Sequence, residues 1–207
     1  MQTNIEIHSL TGVDIKDLSA LYNLSYQNYY VSINLTEEQF QKKLIMEDID
    51  LEFSVGATVD GKLVGFLLYG IRMYDDKKTA YIGGTGVSPE KRGNKITQQM
   101  LDFSFPKLEK EGVDEIFLEV NTKNDFAINA YETCGFEKAR VLNSYKGIPV
   151  LVVNPLHEIV SFEDLSLITG EDFWDIKPTW KNEIQSIKNI IDNCQIKGIN
   201  EDGILVA

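Results

Sequence analysis

Gly86-Val87-Ser88-Pro89-Glu90-Lys91-Arg92-Gly93-Asn94-Lys95-Ile96-Thr97-Gln98-Gln99-Met100-Leu101 is the stretch on which the fold turns. An apolar run ends at Val87, a polar loop follows, and apolar residues resume at helical spacing from Ile96. That is a strand feeding a helix through a short turn. The first amides of a helix have no carbonyl partner, and the helix dipole places partial positive charge there. Such a turn is suited to a phosphate. Gly93 lets the loop come close to an anion. Lys91, Arg92 and Lys95 add positive charge.

Working outward, Asn4–Ser9 alternates as a short strand, and Asp14 to about Tyr30 carries apolar residues at helical spacing. Thr36-Glu37-Glu38-Gln39 reads as a capping box opening a second helix. Phe53–Val59 and Lys62–Tyr74 flank Asp60-Gly61, a pair that tolerates the positive φ angles of a type I′ hairpin. Asp75-Asp76-Lys77-Lys78 is the next turn, and Thr79–Val87 the third strand of this meander. Gly83, Gly84 and Gly86 point to a bulge in that strand or to a ligand close to its backbone. Ile96–Glu111 is a helix that Pro106 should kink or split. Glu115–Val120 is a strand and Asp125–Thr133 a helix stopped by Gly135. Phe136–Ser144 and Val150–Val153 read as two final strands. A helix between the strands ending at Val87 and Val120 makes those strands parallel neighbours.

The 207 residues suit one ordinary domain with an extension. Apolar residues at 43% and charged residues at 25% exclude disorder and a disulfide scaffold. No apolar run approaches the ~18 residues of a membrane span. Met1-Gln2-Thr3-Asn4 does not read as the start of a signal peptide. The two cysteines, Cys134 and Cys194, fit no metal spacing, which points to inert thiols and a cytoplasmic location. His8 and His157 are too few and too scattered for a zinc site or a Ser-His-Asp triad. A net charge of −12 speaks against nucleic acid as a partner.

Past Pro155 the chain becomes more acidic, with 10 acidic and 4 basic side chains. Within it, Gly198-Ile199-Asn200-Glu201-Asp202-Gly203-Ile204-Leu205-Val206 parallels Gly56-Ala57-Thr58-Val59-Asp60-Gly61-Lys62-Leu63-Val64. Gly, Asp, Gly, Leu and Val recur at one constant offset. Thr36 and its helix precede the first copy much as Thr179 and its helix precede the second. The sequence therefore divides into residues 1–154 and an extension, 155–207, that reads as the start of a second copy.

Leu118-Glu119-Val120-Asn121-Thr122-Lys123-Asn124-Asp125-Phe126-Ala127-Ile128-Asn129-Ala130-Tyr131-Glu132-Thr133-Cys134-Gly135-Phe136 is the second informative stretch. Asn124, Ala127 and Tyr131 share one helix face. Together with Arg92-Gly93-Asn94-Lys95-Ile96-Thr97, it resembles the GCN5-related N-acetyltransferases (GNAT). The first hexad matches their Arg/Gln-x-x-Gly-x-Gly/Ala signature, with Lys95 where glycine is usual and Thr97 where glycine or alanine is usual. The second matches their Leu-x-Val, Asn-x-x-Ala, Tyr and Gly-Phe pattern. The resemblance covers residues 1–154, and the extension then looks like a second domain that stops after its opening hairpin.

The fold this resemblance implies is α/β: a mixed, mostly antiparallel sheet with two splayed parallel strands, flanked by helices. The implied cosubstrate is acetyl-coenzyme A, with no metal. Its pantetheine would pair with the strand at Gly86 and Val87. Its pyrophosphate would lie on the amides from Gly93 through Asn94, Lys95 and Ile96 to Thr97, with Arg92, Asn124, Ala127 and Tyr131 also at the cofactor. The implied reaction is direct attack of a primary amine on the thioester. At pH 7 only about one in 2,500 lysine-like amines is neutral, so a base is needed. Glu119 is the candidate, since a Glu at the matching position serves as base in the ribosomal-protein-acetylating branch. The Val87 N–H would hold the oxyanion, and Tyr131 would protonate the departing thiolate. Tyr26, Tyr29 and Tyr30 stand where this family shapes its acceptor pocket, for a small-molecule or peptide amine. Neither nucleic acid nor a membrane is expected as a partner, and a homodimer stays open. The alternative is a catalytically weak acetyl-coenzyme A-binding or interaction module of the same fold.

Overall fold

The computed structural model describes residues 4–27, 29–30, 33–145, 157–159, 176–194, 197–201 and 204–205. The chain divides into two compact units, Met1–Glu137 and Lys138–Ala207. The first unit runs β1 (Ile5–Ser9), α1 (Ile15–Tyr26), α2 (Glu37–Met46), β2 (Ile49–Val59), β3 (Lys62–Tyr74), β4 (Lys77–Val87), α3 (Ile96–Lys110), β5 (Glu115–Leu118) and α4 (Asp125–Thr133). Its sheet has the order β1-β2-β3-β4-β5. β1 to β4 pair antiparallel, and β5 lies parallel to β4, as the intervening helix requires.

Local chemistry explains most of these boundaries. Asp60 and Gly61 both take positive φ, 51° and 73°, and close the β2–β3 hairpin. Asp75 and Asp76 do the same for β3–β4 at 52° and 58°. Thr36 accepts from the Gln39 amide at 3.2 Å and the Gln39 side chain accepts from the Thr36 amide at 2.9 Å, completing the capping box. Asp14 caps α1 and Asn124 caps α4.

One face of the sheet packs Ala57, Leu67, Tyr69, Ala80 and Ile82 against Ile96, Met100 and Leu101 of α3, with Tyr131 of α4. The other packs Phe66 and Leu68 against Leu18, Leu21 and Tyr22 of α1 and Phe40 of α2. From Phe66 to Ile71, β3 alternates between these faces. β4 does not. Leu68 pairs with Gly84 while Tyr69 pairs with Ile82, so Gly83 is an extra residue and forms a bulge. The glycines thus mark a bulge, one of the two outcomes their spacing suggested. Without it, position 85 would share a face with Tyr81. With it, Thr85 turns to the α3 and α4 face. A buried ion pair between Lys43 of α2 and Glu47, the residue that caps the end of that helix, sits under the bulge, and Lys43 Nζ also donates to the Gly83 carbonyl at 2.8 Å.

The bulge coincides with a split. β4 and β5 pair only from Thr79–Glu115 to Ile82–Leu118. β4 then continues to Val87 while the residues after Leu118 leave the sheet. The two parallel strands therefore diverge, as the resemblance implied.

Two expectations change. α3 runs unbroken through Pro106. Pro106 and Asp102, four residues earlier, are both exposed, so the carbonyl left without an amide donor faces water. Residues 136–144 carry no strand. Phe136 instead closes α4, its amide donating to the Tyr131 carbonyl at 3.1 Å, and residues 137–145 are exposed. The expected strand at 150–153 lies outside the described residues.

In the second unit, β6 (His157–Ile159), β7 (Lys197–Glu201) and β8 (Ile204–Leu205) pair antiparallel in that order, with the short helix α5 (Ile184–Asn189) between β6 and β7. Asn200 pairs with Leu205 and Glu201 with Ile204. In the first unit Thr58 pairs with Leu63 and Val59 with Lys62. The two hairpins thus share one register at the sequence offset noted above. β6 pairs with β7 (His157–Ile199, Glu158–Gly198, Ile159–Lys197) as β1 pairs with β2 (Ile7–Ala57, His8–Gly56, Ser9–Val55).

Candidate active site

Beyond Ile82, the split leaves one edge of β4 without a strand beside it among the described residues. The Ser88 amide donates to the Val64 carbonyl at 2.8 Å. By the alternation of an antiparallel ladder, Gly65–Val87 is then a non-hydrogen-bonded pair. The peptide groups of Thr85 and Val87 consequently point away from β3, into the opening. At Thr85 they are taken: the Tyr26 hydroxyl donates to its carbonyl at 3.1 Å and accepts from its amide at 3.4 Å. At Val87 the carbonyl accepts from Arg92 Nε at 3.3 Å. The Val87 N–H has no partner among the described residues.

Tyr131 enters the opening from the α4 side. Its ring packs edge-on against Phe136 at 5.5 Å, and its hydroxyl donates to Thr85 Oγ1 at 3.0 Å. Burial pushes its pKa up to about 12, with the Thr85 hydrogen bond pulling the other way and Tyr29 adding to the rise. Tyr131 is therefore fully protonated at neutral pH. Tyr26 and Tyr81 are raised further, again mainly by burial.

The tyrosines at the end of α1 form a ladder. Ring centroids lie 4.7 Å apart for Tyr22–Tyr26, 5.3 Å for Tyr26–Tyr29 and 5.4 Å for Tyr29–Tyr30. The Tyr30 hydroxyl donates to the Lys123 carbonyl, tying the end of α1 to the loop before α4. The structure thus brings Tyr26, Tyr29, Tyr30 and Tyr131 to one opening. Glu119 is exposed just beyond β5, and its charge acts on the Tyr81 hydroxyl. Tyr81 lies on the sheet face opposite Thr85 and Tyr131.

At the far end of β4, Arg92 is exposed but folds back onto the strand end. Besides the Val87 carbonyl, its guanidinium donates to the Ser25 carbonyl at 2.8 Å and so ties α1 to the turn. Gly86 lies against the Phe66 ring, where an added Cβ would come within 2.4 Å. Gly93 has φ 81° and Lys95 φ 55°, so Lys95 holds with a side chain a backbone conformation natural to glycine. Asn94 braces the turn, its side-chain Nδ2 donating to the Lys91 carbonyl at 2.9 Å. Ile96 is buried in the core and Thr97 is half-buried. No side chain caps α3. The amides of residues 93–98 have no partner among the described residues. The other long helices, α1, α2 and α4, are each capped by a side chain. Asn124 spends its Oδ1 on the Ala127 amide at 3.2 Å, and Ala127 packs on the core.

Thr85 escaped the sequence reading. Its one signal was its place two residues before Val87, and simple alternation put it on the wrong face. Lys43 and Glu47 also escaped notice, because a pair four apart on a helix usually sits in water.

The chain is 32% identical over 81 residues to N-alpha-acetyltransferase 30 of Saccharomyces cerevisiae, covering 38% of this chain and 46% of that relative. It is 24% identical over 139 residues to the [ribosomal protein bS18]-alanine N-acetyltransferase of Escherichia coli K12, covering 67% of this chain and 87% of the relative. The fold matches the aminoglycoside N-acetyltransferase AAC(6')-Iy, solved in complex with CoA, with a TM-score of 0.55 at 15% identity over 71% of this chain and 97% of that one. The family model for the acetyltransferase (GNAT) family matches residues 16–136. That span takes in the split strands, the uncapped turn and Tyr131, and the chain belongs to the GNAT family of acyltransferase enzymes.

Proposed function

We propose that this chain transfers the acetyl group of acetyl-coenzyme A to a primary amine, on a small molecule or a peptide, by direct attack on the thioester. One observation carries the reading. The open edge of β4 leads from the Tyr131 hydroxyl and the Val87 N–H straight to the uncapped amides of residues 93–98. A long carrier with a thioester at one end and a diphosphate near the other fits that order of groups. Pantetheine amides would pair with the Val87 edge, and the diphosphate would rest on the turn. The relatives support an amine acceptor, since the two curated ones are named for acetylating an N-terminus or an alanine. The half-buried free cysteines fit a cytoplasmic setting.

In the reaction, the neutral amine attacks the carbonyl carbon and the oxyanion takes the Val87 N–H. Glu119 is the proposed base, working through water from the rim. As the C–S bond breaks, sulfur keeps the electron pair and takes the Tyr131 proton. With Tyr131 at about 12 and a thiol near 8.5, this transfer is uphill by roughly 5 kcal/mol. It therefore runs together with bond cleavage, while the amine proton returns to Tyr131 through solvent. Tyr26, Tyr29 and Tyr30 would line the acceptor side. We further propose that residues 155–207 open a second copy of the fold, on the support of the shared hairpin register.

The test is thiol release from acetyl-coenzyme A against a panel of amines: peptides with free N-termini, an aminoglycoside and an amino sugar phosphate. We expect release with at least one. We also expect Tyr131→Phe to lower turnover at least about tenfold with acetyl-coenzyme A affinity little changed. Cofactor binding without release for any amine would favour the weak binding module instead. Absence of binding heat would overturn both readings.

A further inference from the structure

The strand that carries the open edge also carries a hydroxyl at the one position where it meets Tyr131. Thr85 is held on three sides. Its amide and carbonyl both meet the Tyr26 hydroxyl, and its Oγ1 accepts from Tyr131 at 3.0 Å. It faces Tyr131 only because the Gly83 bulge shifts the alternation of β4. A β-branched side chain has few χ1 choices, so the hydroxyl stays where the strand puts it. Valine would fill the same space and hold the same strand. What threonine adds is an oxygen that both accepts and donates.

We propose that Thr85 is the positioning residue for Tyr131: its hydroxyl accepts the Tyr131 O–H before acyl transfer and turns to donate to the Tyr131 oxygen once that proton has left. This rests on the reading of Tyr131 as the acid. The C–S bond breaks with its electron pair on sulfur, and the Tyr131 proton goes to sulfur. The Thr85 proton stays on Thr85 and only changes the oxygen it points to. The resulting phenolate lies in a buried site, where an unpartnered charge is costly. A hydroxyl already in contact with that oxygen supplies the donor by a rotation about its own C–O bond, with no movement of the strand. The rise in the Tyr131 pKa caused by burial makes this service more valuable, and the Thr85 hydrogen bond opposes that rise.

The experiment compares the full chain with Thr85→Val, Thr85→Ser, Tyr131→Phe and the Thr85→Val/Tyr131→Phe double variant. It reads thiol release with the most active amine of the panel, or the slow hydrolysis by water if no amine is active. Thr85→Val should lower kcat about tenfold, the size of one hydrogen bond to a charged oxygen, with KM for acetyl-coenzyme A within about twofold. Thr85→Ser should restore turnover to within about threefold. In the Tyr131→Phe background, Thr85→Val should add no loss beyond about twofold, because the oxygen it serves is gone. A residue that only packs would lose as much in either background, and that result overturns the proposal. So does full turnover in Thr85→Val. If that variant does not fold, Thr85→Ala removes the same hydroxyl and is read the same way. Full turnover in Tyr131→Phe is a different failure: it removes the acid itself and Thr85 with it.

Discussion

Lys95 offers a test of the turn that needs no substrate. It opens α3 at φ 55° and ψ 28°, in the left-handed region. A residue with a Cβ is about 1–2 kcal/mol worse there than in the right-handed region, and glycine escapes most of that cost. Glycine brings about 0.5–1 kcal/mol of extra chain entropy to lose on folding. The balance for Lys95→Gly is a gain of about 0.5–1 kcal/mol. For a chain of this size that raises the melting temperature by about 1–4 °C. Lys95→Ala keeps the strained backbone while removing the charge, so it should show no gain. Gly93, at φ 81° with nothing within 4 Å of an added Cβ, gives the mirror experiment. Gly93→Ala has room but not the backbone freedom, and by the same balance should lose about 0.5–1 kcal/mol, or about 1–4 °C. Differential scanning calorimetry of the four proteins without ligand decides the matter. If Lys95→Gly melts no higher than Lys95→Ala, the turn does not hold a left-handed residue at 95 and the reasoning fails. Titrating coenzyme A into the two Lys95 variants then isolates the charge, because both lack it.

Three further perturbations follow from the packing. Gly86→Ala places a Cβ 2.4 Å from Phe66 Cε1 and 2.7 Å from Ser25 Cβ; it should cost about 1–3 kcal/mol, and an unchanged urea midpoint would mean that Phe66 moves aside freely. Lys43→Met leaves the buried Glu47 carboxylate without its ammonium and should cost about 3–5 kcal/mol, whereas Lys43→Met with Glu47→Leu should lose less than the single change. Tyr22, Tyr26, Tyr69, Tyr81 and Tyr131 all ionise at higher pH in the fold than in the unfolded chain. The unfolded chain therefore releases their protons first, so stability is intact below pH 10 and falls as pH rises through 10 to 12. Each group contributes a slope of up to about 1.4 kcal/mol per pH unit. A urea midpoint that stays constant to pH 11 would contradict that burial.

Features set by contiguous residues were legible beforehand. Asp60-Gly61 and Asp75-Asp76 announce their turns because few residues take positive φ. The Thr36 box announces a helix start. The parallel pair follows from a helix lying between two strands. The family itself was legible because its two motifs are local. What stayed hidden depends on parity or on distant partners. The Gly83 bulge moves Thr85 across the sheet, yet a glycine run leaves no side-chain pattern to betray it. Phe136–Ser144 has strand-like composition, but among the described residues it pairs with no neighbour. Pro106 breaks helices where its orphaned carbonyl is buried, and here that carbonyl meets water. Arg92 reads as an anion ligand, and only the fold reveals the Ser25 and Val87 carbonyls within its reach.

The extra glycine in β4 sets an unequal tolerance to mutation. Exchanging one amino acid for another along this strand alters a side chain and leaves every peptide group aimed as before. Inserting a single codon between Gly84 and Thr85 would instead shift all later positions one step along β3, setting Thr85 opposite Phe66 rather than Leu67 and so away from Tyr131, and would push the turn at Asn94 forward by one residue. In this segment, length rather than spelling is what the chain is least free to change.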